Sequence, residues 1–306
     1  MAGKPRVTIV GAGNLGGALA LSLVRAGYSI DAVIARSRGE SLRKAQRLAK
    51  QVGARASSDL FSGDASSKGS SSRNSTTREL ANMRARLIWF CVPDGEIASA
   101  ARVLAEIIEW KGRVALHLSG VLSSDELSSL RRRGAVVASV HPMMTFVKGS
   151  RPSLARVPFA LEGDASAVRV ARHVVEDLGG EAYSIRKKDK AAYHAWGTFA
   201  SPLFTALLAT TEQVAALAGV TQKAAKQRII PILLQTLANY AAFGAVGAFS
   251  GPIVRGDVNT VERHLRVLKS VPAAREVYSS LAHAALHYLP TKNKSALKEL
   301  LDSERD

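Results

Sequence analysis

The chain has 306 residues and a formal net charge of +17, from 42 Lys and Arg against 25 Asp and Glu. A hydrophobic fraction of 47% is enough to bury sizeable cores and excludes a disordered composition. The single cysteine, Cys91, excludes an intramolecular disulfide framework and a cysteine-cluster zinc site, and no metal site is expected.

The length fits about two domains. Arg6 to Val10 is a short β-branched run ending at a glycine and reads as a buried strand. Leu15 to Ala26 reads as a helix closed by Gly27, Ser29 to Ile34 as a second strand and Ser41 to Val52 as a charged amphipathic helix. Residues 57–77 are dense in Ser, Gly and Asn and read as a flexible surface insertion. The rhythm then resumes. Strands are predicted at Arg86–Val92, Arg113–Leu118, Ala135–Val140, Val157–Leu161 and Ala182–Ile185, with helices at Gly95–Glu109, Ser123–Arg132 and Ala165–Leu178 between them. Ser123 followed by Glu126 has the spacing of a capping box. Alternating strands and helices predict an α/β domain, a doubly wound parallel sheet of Rossmann type over residues 1–186. From Lys187 to residue 306 no strand pattern appears, and the helical periodicity predicts an all-α domain that builds the substrate site and a dimer contact.

Ile229 to Val254 carries no charge and is long enough to span a bilayer. Its prolines, glycines, Gln235 and Asn239 fit an all-round-buried helix and a turn better than a lipid-facing span, so dimerisation and a cytosolic, membrane-free location are expected. The basic residues are scattered and no nucleic-acid motif accompanies them, so an anionic small molecule, not nucleic acid, is the expected main partner.

Gly11-Ala-Gly13-Asn14-Leu15-Gly16 follows a strand and opens a helix, the setting of a dinucleotide site. Gly11 allows the tight turn, Gly13 lets backbone amides approach a pyrophosphate, and Gly16 lets the helix pack close to the strand. The second strand ends at Arg36-Ser37-Arg38 instead of an acidic residue, which favours the 2′-phosphate of NADP(H) over NAD; Asp31 lies too early in that strand to serve. Val92 and Pro93 end the next long strand and are expected near the nicotinamide. Ser119 and His141 end later strands on the same rim.

Four segments, HLSGVLSSDEL (117–127), SVHPMMTF (139–146), KAAYHAWGTFASPL (190–203) and SGPIVRGDVNTVERHL (250–265), occur in that order. Together they resemble the Rossmann-like family whose C-terminal half is the DUF2520 domain. The resemblance runs from about Arg6 to Leu289 outside the serine-rich insertion. The family is similar in layout to pyrroline-5-carboxylate reductases and ketopantoate reductases, which implies an NADP-dependent oxidoreductase with 2-dehydropantoate as the most concrete substrate. Where the family pattern has Ser-Asn this chain has Ser201-Pro202, so the resemblance transfers no specific substrate contact there.

Carbonyl or imine reduction needs a proton donor and a group that holds a substrate carboxylate. Lys190, His194 and Ser201 fall near one helix face. Histidine exchanges a proton near neutral pH, which makes His194 the first choice as donor and Lys190 the second. Arg255 is a candidate carboxylate clamp and Asp257 a group that orients Arg255 or a histidine; a structural Arg–Asp pair is the alternative for both. Ser119 and His141 are candidates for contacting nicotinamide or substrate, and His264 reads as structural. Two other classes stay open: an NADP(H)-sensing module without turnover, and a basic nucleic-acid binder.

Overall fold

Among the described residues eight short strands pair into one sheet, and its central strands carry apolar runs buried on both faces, as parallel strands require. In the computed structural model the described residues are 3–36, 39–58, 83–150 and 152–303. Ser37, Arg38 and nearly all of the serine-rich insertion lie outside them. The chain divides into two compact units, Met1–Gly197 and Thr198–Asp306.

The first unit holds β1 (Val7–Val10), α1 (Asn14–Arg25), β2 (Ile30–Ile34), α2 (Gly39–Val52), β3 (Arg55–Ser57), β4 (Leu87–Phe90) and α3 (Asp94–Ile107). It continues with β5 (Val114–His117), α4 (Ser128–Arg132), β6 (Val136–Pro142), β7 (Pro158–Gly163), α5 (Ala165–Asp177), β8 (Glu181–Ser184) and α6 (Lys190–Thr198). The sheet order is β3-β2-β1-β4-β5-β6-β7-β8, with every neighbouring pair parallel except β6 and β7. One core cluster packs α1, α2 and α5 on one face and a second packs α3 on the other. Trp110 is fully buried in the second cluster, and its indole donates to Leu104 O in the last turn of α3.

Register decides where function can sit. Ile34, Val10, Phe90, His117 and Ser139 are level across five strands. The turns that follow them therefore share one edge, the carboxyl edge where open α/β sheets bind ligands.

Several expectations need correction. The edge strand β3 is three residues of mostly exposed, polar sequence and gave no alternating signal. The expected helix at Ser123–Arg132 is a 3₁₀ turn at Ser124–Leu127 followed by α4. Ser123 does cap it, but through Asp125 N; among the described residues no reciprocal bond from Glu126 is present. The first unit extends past Arg186 to take in most of α6, because Lys190 and Tyr193 on that helix are buried against β6.

The second unit contains α7 (Phe204–Leu217), α8 (Gln222–Ala248), α9 (Pro252–Arg255), α10 (Val258–Leu268), α11 (Pro272–Tyr288) and α12 (Lys294–Ser303). Before α7, Phe199–Leu203 forms a π-helical turn around Pro202, whose missing N–H breaks the regular ladder. Val261, Leu265, Ala282, Leu286, Leu297 and Leu301 close a small core between α10, α11 and α12. That arrangement leaves α8 aside. The expectation of an all-round-buried helix is wrong within one chain: Leu234 is 63% and Phe243 69% exposed. Gly244, at φ 68°, kinks the helix. Among the described residues, the span Gln222–Arg255 is the one helix long and apolar enough to cross a membrane by length and composition.

Candidate functional site

Two constellations share the carboxyl edge of the sheet. The first is a cavity of about 340 Å³ lined by Gly11, Ala12, Gly13, Arg36, Val92 and Pro93, with Ser41, Lys44 and Glu96 among its other walls. Gly11 sits at φ 104°, and a methyl there would overlap the Cys91 carbonyl. Gly16 is as tightly placed, because a methyl would strike Gly11 O. Leu15, half-buried, packs into the core and fixes the first turn of α1. Asn14 is exposed and its amide donates to Phe146 O at 3.3 Å.

Gly13 differs from its two partners, since a methyl on it would have no protein atom within 4 Å. The fold itself does not require glycine there, since the space over it is open. Gly13 is also the N-cap of α1, no side chain caps that terminus, and its first turn carries no acidic residue. Uncapped amides and the helix dipole suit a pyrophosphate passing over Gly13. The residues present therefore fit a dinucleotide.

Farther along the cavity, Arg36 pairs with Glu96 at 3.2 Å and Lys44 with Glu40 at 2.9 Å. Exposed pairs of this kind contribute only ~0–1 kcal/mol, so a dianionic phosphate can exchange for either carboxylate. Lys44 and Ser41 were not singled out from the sequence; their place on the first turns of α2, directly after the Arg36 segment, is the signal that could have found them. Asp31 accepts from Arg84 N and pairs with Arg6 and Arg55, so it is occupied away from this cavity, as its early place in β2 suggested.

The second constellation gathers Ser119, His141, Lys190 and His194. Ser119 follows β5 and is buried. Its hydroxyl donates to Asp94 Oδ2 at 2.8 Å and accepts from Leu122 N. Lys190, in the first turn of α6, is only 1% exposed. Its Nζ donates to Ser119 O at 3.1 Å and to Ser139 Oγ at 2.7 Å, and Ser139 Oγ in turn donates to Ser119 O. Burial pulls the Lys190 ammonium down to about 8, with Glu162 and Asp94 opposing the fall.

His141 Nδ1 and Tyr193 OH share a hydrogen bond of 2.8 Å. Burial, then the charge of Lys190 and the neighbouring histidines, pushes His141 down to about 4, so it is neutral at physiological pH. The His141 and His194 rings lie 6.0 Å apart, edge to face. A methyl at Gly120 would overlap both rings, so glycine is what lets the two histidines meet over the end of β5. Sequence reasoning missed Asp94, His117, Gly120, Ser139 and Tyr193 as members of this cluster, although all but Asp94 lie in segments it had quoted.

Arg255, Asp257 and Ser201 belong to the second unit. Both Asp257 carboxylate oxygens accept from Thr260, one from its N–H and one from its hydroxyl. Asp257 is thus the N-cap of α10, and these bonds hold its carboxyl below the usual range. Among the described residues Asp257 makes no ion pair with Arg255, whose guanidinium is exposed at the end of α9. His264 bonds Tyr278 at 3.1 Å between α10 and α11.

Residues 6–114 match the family described as NADP oxidoreductase coenzyme F420-dependent, and residues 157–285 match the domain of unknown function DUF2520. No curated protein sequence matches the chain. Among solved structures, a Bacteroides fragilis protein assigned as an NADP oxidoreductase is similar at 21% identity and a TM-score of 0.71, over 92% of this chain and 97% of that one. A reductive aminase from Aspergillus terreus, in complex with NADPH and ethyl-5-oxohexanoate, is similar at 15% identity and a TM-score of 0.63, over 98% and 99%. A pyrroline-5-carboxylate reductase from Coxiella burnetii is similar at 14% identity and a TM-score of 0.55, over 98% and 97%. At these identities the likeness is one of fold.

Proposed function

We propose that this chain, whose residues 6–114 match an NADP oxidoreductase family and whose residues 157–285 match the DUF2520 domain, is an NADP-dependent oxidoreductase of Rossmann type that reduces the C=O or C=N bond of a small anionic substrate, a 2-oxo acid or a cyclic imine. The observation that carries this reading is the Ser119–Lys190–His141–His194 cluster standing on the same sheet edge as the glycine cradle. NADPH, when bound, would supply a hydride. Gly11, Gly13 and the α1 amides would hold its pyrophosphate, Arg36 and Lys44 its 2′-phosphate, and Val92 and Pro93 would line the cavity on the nicotinamide side.

His194 is exposed on α6 and delivers the proton to the substrate oxygen or nitrogen. His141, held neutral, hydrogen-bonds but does not add a competing charge. Lys190 is too deeply buried to be the donor, which leaves it a different task. Its ammonium fixes Ser119 and Ser139, and its charge favours the negative charge that develops as a carbonyl is reduced.

The resemblance to ketopantoate reductases makes 2-dehydropantoate the first substrate to offer, and pyrroline-5-carboxylate the second. NADPH absorbance decay with the two compounds in parallel tests the reading. Turnover of either supports it; tight NADPH binding with neither turned over favours a sensor.

The same reading takes the protein as a cytosolic homodimer formed through the second unit. That unit presents an uncharged, exposed ridge on α8 and an apolar groove of about 820 Å³ that includes Val214, Val267, Tyr278 and Leu281. A ridge and a groove on one unit can serve each other across a two-fold axis.

A further inference from the structure

His117 contacts no candidate substrate position, yet it is fully buried and bonded at both ring nitrogens. Nδ1 accepts from Ser119 N at 3.2 Å, and Nε2 lies 2.9 Å from Ser123 O. A backbone N–H can only donate and a carbonyl can only accept. The ring is therefore in its Nε2–H tautomer, and one side chain ties both ends of the turn from Ser119 to Ser123. That turn carries the Ser119 carbonyl to which Lys190 Nζ and Ser139 Oγ both donate.

We propose that His117 is a positioning residue: its neutral imidazole clamps the turn after β5, aims the Ser119 carbonyl at Lys190, and so holds the ammonium in the rim cluster. The inference rests on the reading of that cluster as the reductase site. The charged and titratable groups around it are Lys190 on α6 and His141 on β6; Glu162 on β7 holds Ser124 through its backbone N–H and hydroxyl, and Asp94 on α3 holds the Ser119 hydroxyl. Burial pushes His117 down to about 4, so the clamp is intact at neutral pH. Protonated His117 would lose its acceptor for Ser119 N and place a second cation beside Lys190.

Two variants separate the two ring nitrogens. His117→Phe removes both bonds. His117→Asn keeps an acceptor for the N–H two residues on, the geometry of an Asx turn. The first measurement is the Lys190 titration by NMR of isotope-labelled lysine, with the signal identified by Lys190→Met. The second is the His117 tautomer from long-range proton–nitrogen correlation. The expected result is an Nε2–H ring, a Lys190 midpoint that falls in His117→Phe because its carbonyl acceptor is no longer aimed, and a midpoint preserved in His117→Asn. Turnover falls about a hundredfold in His117→Phe, the scale of a misplaced catalytic group, with NADPH affinity unchanged. An Nδ1–H tautomer, or folded His117→Phe with an unmoved Lys190 midpoint, overturns the proposal. Where His117→Phe does not fold, the wild-type tautomer and His117→Asn decide: a moved midpoint in His117→Asn also overturns it. Neither NMR readout needs turnover, so absence of reductase activity would count against the site reading alone.

Discussion

Lys190 Nζ lies 2.7 Å from Ser139 Oγ, which joins the first turn of α6 to the interior of β6. An ammonium that is 1% exposed is costly unless it is well bonded, and two of its three N–H groups have acceptors, one in β6 and one in the turn after β5. Helix α6 is thereby anchored on the sheet of the first unit, with His194 one turn further on.

Loss of His194 is expected to lower turnover by about 10²–10⁴-fold, the range for a general acid, while NADPH affinity by fluorescence titration stays within error. An unchanged rate in His194→Ala would remove it as the donor.

Arg36→Ala combined with Arg38→Ala should weaken NADPH more than NADH, and Lys44→Ala should act in the same direction. Each charge-assisted bond to the phosphate contributes roughly 1.5–3 kcal/mol. Equal losses for the two cofactors, measured side by side by calorimetry, would contradict the 2′-phosphate assignment.

Gly13 and Gly11 should behave differently. Gly13→Val has open space in the protein and should leave the melting temperature unchanged while abolishing NADPH binding. Gly11→Val meets the Cys91 carbonyl and a positive φ, so it should destabilise the fold itself. A Gly13→Val protein that binds NADPH normally would show that the cofactor does not pass over this turn.

Stability should fall in mild acid. His117 and His141 both titrate near 4 in the folded protein against about 6.5 unfolded. Between those values the unfolded state binds more protons, so unfolding free energy rises with pH there and is lost as pH falls from about 6.5 to about 4. The effect is on the order of 3 kcal/mol per histidine. Urea titrations of His117→Asn across this window should show a shallower slope; an identical slope would mean His117 is not held neutral.

The dimer is tested on α8. Leu234→Glu or Phe243→Glu places a charge on the exposed ridge and should convert a dimer to monomer in light scattering. A wild-type protein that is already monomeric at micromolar concentration would refute the assignment.

Much of this was legible locally. A β-branched run, a GxGxxG turn and a helix are neighbours in sequence, so the glycine turn, its carboxyl-edge position and every strand up to β8 except β3 follow from short-range pattern. Arg36 was placed beside the cavity for the same reason, following the end of a strand whose register the apolar run sets. The rim cluster was legible only as a set of quoted segments. Ser119, Ser139 and Lys190 are far apart in sequence, and only the pairing of β5 with β6 and the docking of α6 decide that their polar atoms meet. Asp257 shows the limit from the other side: its residue type suited catalysis, but Thr260 three positions on claims both oxygens as a helix cap. The uncharged stretch from 229 to 254 likewise fixes that apolar neighbours are wanted, because burial is favourable wherever it happens. Whether the chain supplies those neighbours itself depends on how α10, α11 and α12 close, and they close on one another, leaving the α8 ridge outside.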